Sequence, residues 1–138
     1  MDWTAGPVES SGDPGDSANM RIIKETFAAI EESGLEAGIE ILLAHSHDDC
    51  VFRPYTGAGR ALRSAEEVRT FFREQLAAGA EVLPRPASFE ERGDEIVVKG
   101  SLRVVRPEGG FSESQLTWTY RFREGRVAEA VWGPREAA

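Results

Sequence analysis

The sequence predicts an α+β fold, with three N-terminal helices packed on a strongly bent, mostly antiparallel sheet. Three observations point to it. Apolar residues recur at spacings of three and four in three stretches before residue 80. Beyond residue 80 they alternate with period two. Glycines at 93, 109–110 and 125 cut that second stretch into hairpins. Helices that precede a meander of strands make an α+β domain, and helices laid across one concave sheet enclose a cone-shaped hollow.

Each element has its own signal. Met20, Ile23, Phe27 and Ile30 form one helical stripe, with Ser17 or Asn19 as cap and Gly34 at the end. Leu35, Ile39, Leu42 and Leu43 mark a second, short helix. "CVFRPY" reads as a strand stopped by Pro54, and Gly57 and Gly59 make a loop. Ser64 and Glu67 fit a capping box ahead of Val68, Phe71, Phe72 and Leu76. "ASFEERGDEIVVKGSLRVVR" holds two strands turning at Gly93-Asp94. "QLTWTYRFREGRVAEAVW" holds two more, turning at Glu124-Gly125.

The chain has 138 residues, enough for one domain that needs no disulfide or metal staple. Residues 1–18 are rich in Gly, Pro, Ser and Asp and predict a disordered acidic tail, in which Trp3 is the one residue suited to docking. Residues 19–138 form a single domain. Of the net charge of −8, half sits in residues 1–20, which hold four acids and no Lys or Arg. The rest is mildly acidic with interspersed signs, which excludes a nucleic-acid-tracking surface. No apolar run is long enough to span a membrane, the N-terminus lacks the pattern of a signal peptide, and a single cysteine forms no internal disulfide. The expectation is a cytoplasmic protein.

Three pieces, "FAAIEESGLEAGIEILLAHSHDDCVFRPYTG", "GRALRSAEEVRTFF" and "TWTYRFREGRVAEAVWGPREAA", follow one another in an order that resembles the nuclear transport factor two-like superfamily, and within it the SnoaL-like polyketide cyclase group. The resemblance implies a cone-shaped α+β barrel, a cystatin-like roll, with a pocket lined by alternate strand residues. It implies no cofactor, a small-molecule ligand and a homodimer. It also implies that Val51 and Arg53 face inward. The three groups used by the related ketosteroid isomerases fall here at Phe27, Arg53 and Trp118, so steroid-isomerase proton abstraction is not expected. The fold hosts cyclases, isomerases, dehydratases, hydrolases and non-catalytic binders.

The candidate residues each carry two readings. His45, His47, Asp48 and Asp49 resemble metal ligands, but a third ligand at sensible spacing is missing, so no metal is expected; a helix terminus running into a turn explains them as well. His47 and Asp49 suit acid/base work, or a solvated connection. Arg53, if inward, pairs with an internal carboxylate such as Asp49 or a strand glutamate, or grips a ligand carboxylate, enolate or phosphate and stabilises oxyanion charge; if the register slips by one, it lies in solvent. Trp118 and Tyr120 share a face of one strand, as do Ala128, Ala130 and Trp132 of the next. These residues, with Phe27 and Val51, suit the wall of a pocket for a flat, mostly apolar molecule with a polar edge. Tyr55 stands at the mouth or at the surface. Cys50 reads as a small buried hydrophobe. Val97, Val105, Thr117 and Thr119 fit a dimer face. A hollow filled by its own side chains would instead mean a scaffold domain.

Overall fold

The structure is a computed structural model and describes residues 15–54 and 61–134. Trp3, Tyr55 and the glycines at 57 and 59 lie outside the described residues, as does most of the expected tail. In chain order the elements are α1 (Ala18–Ser33), α2 (Leu35–Ala44), β1 (Ser46–Arg53), α3 (Ala65–Ala77), β2 (Glu81–Arg92), β3 (Glu95–Val105), β4 (Phe111–Arg123) and β5 (Arg126–Pro134). The sheet order is β1-β5-β4-β3-β2. The last four strands form the antiparallel meander, and β1 joins it parallel to β5.

Local chemistry sets the element ends. Ser17 caps α1, its Oγ accepting from the Met20 N–H at 3.0 Å. Gly34 ends α1 at φ 102°, where an L side chain would be strained. The Ser64 hydroxyl caps α3 by accepting from the Glu67 N–H at 3.1 Å. The Glu67 carboxylate reaches back to the Arg63 N–H at 2.7 Å, one residue before the donor of a standard capping box. The hairpins turn where expected, with positive φ at Gly93, Gly109, Gly110, Glu124 and Gly125.

Two strands are longer than the sequence suggests. β2 begins at Glu81 and runs through Pro84 and Pro86, which an edge strand tolerates because one side of its ladder has no partner. β1 begins at Ser46, so His47, Asp48 and Asp49 lie on a strand and not in a helix–strand turn. Only His45 closes the helix, as its C-cap.

The concave face carries the core. Phe27 of α1 meets the rings of Phe89, Trp118 and Tyr120 edge-on at 5.9, 5.2 and 6.4 Å. Such contacts contribute about 0.5–1.5 kcal/mol each beyond the area they bury. Phe72 of α3 packs on Phe52 and Trp132 at 5.6 Å from each. Gly38 lets α2 approach α1, since a methyl there would overlap Ile30 and stand 2.8 Å from the Thr26 carbonyl.

Candidate functional site

Alternation along β4 and β5 places the aromatic set inside. Trp118 and Tyr120 are fully buried, as is Ala130, and Trp132 is 4% exposed. On β5 the inward residue before Ala130 is Val127 and not Ala128. Arg121 pairs with Glu129 and Phe122 with Val127, so Ala128 is the extra residue of a bulge.

The faces of β1 are the reverse of those the resemblance implies. Phe52 is the inward residue, 1% exposed and 5.2 Å from the Trp132 ring. Val51 and Arg53 lie on the outer face. The Arg53 side chain is 43% exposed, and its Nε donates to Glu129 at 3.5 Å. Glu129 also takes Arg121 at 2.9 Å, and Arg121 reaches Glu95 at 3.1 Å. Arg53 thus ends a ladder of ion pairs across four strands. The physical reason is direct: burying Phe52 gains apolar area, whereas an inward guanidinium would need a buried partner.

His47 and Asp49 do not reach the cone either. The His47 Nε2–H donates to the Arg123 carbonyl at 2.6 Å, and Arg123 donates to Asp49 at 3.2 Å. Both contacts tie β1 to the end of β4. Among the described residues, no group of three His, Cys, Asp or Glu side chains could hold a metal ion.

Among the described residues, clefts border the core at two places that bear on function. The larger, about 120 Å³, lies between the end of α2, β1 and the start of α3. It lies beside an irregularity in which β1 advances five positions, from Ser46 to Val51, while β5 advances two, from Val127 to Glu129. Asp48 also lines it, and three of its other polar groups are occupied within the protein. The Ser46 hydroxyl donates to the Leu42 carbonyl at 2.7 Å, Ser64 caps α3, and His47 bonds Arg123. Burial pushes the Cys50 thiol up, a hydrogen bond with Ser46 opposes this, and Asp49 and Glu129 add to the rise, so it is a thiol and not a thiolate at neutral pH.

The smaller cleft, about 40 Å³, is at the mouth of the cone. Phe72 and Gln75 of α3, Val82, Leu102, Val104 and Trp132 line it, with Pro54 and Ala80 at its edge. Among the described residues its polar side chains are the Gln75 amide and the Trp132 indole. Behind Trp132 the expected hollow is filled with aromatic rings: Trp118 and Trp132 meet edge-to-face at 6.3 Å. The Trp132 indole donates to the Tyr120 hydroxyl at 3.1 Å. The Trp118 indole N–H is buried and has no acceptor among the described residues. Burial pushes the Tyr120 phenol far up, with the Trp132 bond opposing, so Tyr120 keeps its proton. Sequence reasoning identified the indoles but missed Phe72, Gln75 and the β2–β3 side of the mouth. The three-residue spacing of Phe72 and Gln75 on α3 was the available signal.

The comparisons agree with this architecture. The model of the SnoaL-like domain matches residues 23–130, and the chain belongs to that family. No curated protein matches the chain. Among solved structures, an NTF2-like protein of unknown function from Burkholderia pseudomallei is similar, at a TM-score of 0.74 and 24% identity, over 87% of this chain and 92% of that one. TerC co-crystallised with polyporic acid aligns at 0.72 and 20% identity, over 86% and 92%. RV0760c from Mycobacterium tuberculosis, in complex with estradiol-17β-hemisuccinate, aligns at 0.65 and 20%, over 85% and 93%. At these identities the likeness is one of fold. Among the described residues no helix is long and apolar enough to cross a membrane.

Proposed function

We propose that this SnoaL-like domain holds a small, mostly apolar molecule bearing a carbonyl-type acceptor, which enters the cone at the mouth beside Trp132. The observation that carries this reading is the buried Trp118 N–H, which has no acceptor among the described residues. Such a donor costs about 1–3 kcal/mol, a cost that a scaffold core avoids by using Phe. Two proteins of the same fold hold small molecules, which supports the reading.

The alternative is a cofactor-independent cyclase, isomerase, dehydratase or hydrolase. It needs a titratable group within reach of the ligand. Among the described residues the mouth offers the Gln75 amide and the Trp132 indole but no titratable side chain, and His47, Asp49 and Arg53 are engaged elsewhere. Binding without turnover is therefore the preferred reading. It is accompanied by a cytoplasmic location and a homodimer paired through the outer sheet face around Val97, Thr117 and Thr119, which sedimentation velocity tests.

The test of the binding function is native mass spectrometry of protein purified from its own host. A retained small molecule is the expected result. Protein that carries nothing, and whose melting temperature no aromatic ketone raises, overturns the proposal.

A further inference from the structure

Tyr120 and Trp118 hold two unspent hydrogens in one aromatic cluster. The Tyr120 oxygen accepts from Trp132, but among the described residues its own hydrogen has no acceptor. The Trp118 N–H has none either. Both residues are fully buried on the same face of β4, and the Phe27 ring touches both. Building on the binding reading above, we infer that the site selects a neutral carbonyl oxygen over a carboxylate, held jointly by the Trp118 N–H and the Tyr120 O–H once Trp132 has turned out of the cone.

Three observations carry this. A carbonyl oxygen has two lone pairs and no hydrogen, which matches two donors. The one arginine expected inside, Arg53, is on the outer face with Glu129, and among the described residues no cationic side chain lines the mouth, so a buried carboxylate would meet no counter-charge from them. The space is too small as it stands: about 40 Å³ admits water and not a two-ring molecule. Trp132 both lines the cleft and covers Trp118, its direct cross-strand partner. Its movement opens the path and breaks only one hydrogen bond, that to Tyr120.

The experiment is calorimetric titration with three β-naphthyl compounds of nearly one shape: the methyl ketone, the carboxylate and the isopropyl hydrocarbon. The ketone should bind the unmodified protein about tenfold more tightly than either of the others, the worth of roughly one net hydrogen bond. Trp118→Phe should bring the ketone down to the hydrocarbon's affinity, Tyr120→Phe should weaken the ketone alone, and Trp132→Ala should tighten all three. If ketone and hydrocarbon bind the unmodified protein equally, or the carboxylate binds most tightly, the donor pair is refuted while the pocket stands. If none binds either the unmodified protein or the Trp132→Ala variant, the pocket itself is refuted.

Discussion

Trp132 donates its indole N–H to the Tyr120 hydroxyl at 3.1 Å, whereas Trp118, directly opposite it across the β4–β5 ladder, donates to no described group. Two indoles of similar burial on one face thus differ in a single respect. Replacing Trp118 by Phe removes an unmet donor along with some apolar area. Replacing Trp132 by Phe removes a bond that is made and leaves Tyr120 without its partner. Trp118→Phe should therefore destabilise the ligand-free protein less than Trp132→Phe, by about 1 kcal/mol or more, in urea titrations of both variants.

Phe52 and Arg53 should behave oppositely. Phe52→Ala deletes a buried ring packed on Phe72 and Trp132, and should cost about 3–5 kcal/mol. Arg53→Ala removes a half-exposed pair with Glu129 and should cost no more than about 1 kcal/mol, without changing ligand affinity. A loss of binding on Arg53→Ala would restore the inward arginine.

Gly100 sits opposite the β2 irregularity between Pro86 and Ser88. A methyl there would overlap the Arg85 carbonyl and stand 2.8 Å from the Pro86 Cα, and a strand backbone cannot swing aside as a side chain can. Gly100→Ala should destabilise by roughly 1–3 kcal/mol, read as a shifted urea midpoint.

Glu40 of α2 accepts two hydrogen bonds from Arg69 of α3, at 2.7 and 3.0 Å, and these hold its carboxyl below the usual value of 4.5. A carboxyl lowered on folding adds stability that is present above its unfolded value and lost as pH falls through the folded one. Glu40→Gln should lower the melting temperature slightly at neutral pH and converge with the unmodified protein below about pH 4.5, so that its acid limb is flatter. An unchanged acid limb would mean that the pair makes no contribution.

Much of the fold was legible because local and global signals agree. The stripe through Ile23 and Phe27, the capping box at Ser64 and Glu67, and the turn glycines each act within a few residues. The inward face of β4 follows from simple alternation. The site was less legible because it depends on register. Two irregular stretches, the start of β1 and the extra residue Ala128, change which side chains face inward, and neither leaves a compositional mark. The resemblance supplied the wrong face for Arg53. Reading Phe52 as the residue with most to gain from burial would have corrected it. Nothing in the sequence shows that Trp132 meets Tyr120, since that contact is a diagonal across the sheet.

The indole ¹⁵N–¹H correlation spectrum tests the central claim most directly. The Trp118 resonance should lie further downfield with the naphthyl ketone than with the matched hydrocarbon, whose ring current and displacement of Trp132 are the same, while the Trp132 resonance shifts with both. A Trp118 resonance that lies no further downfield with the ketone, while the ketone demonstrably binds, would contradict the account.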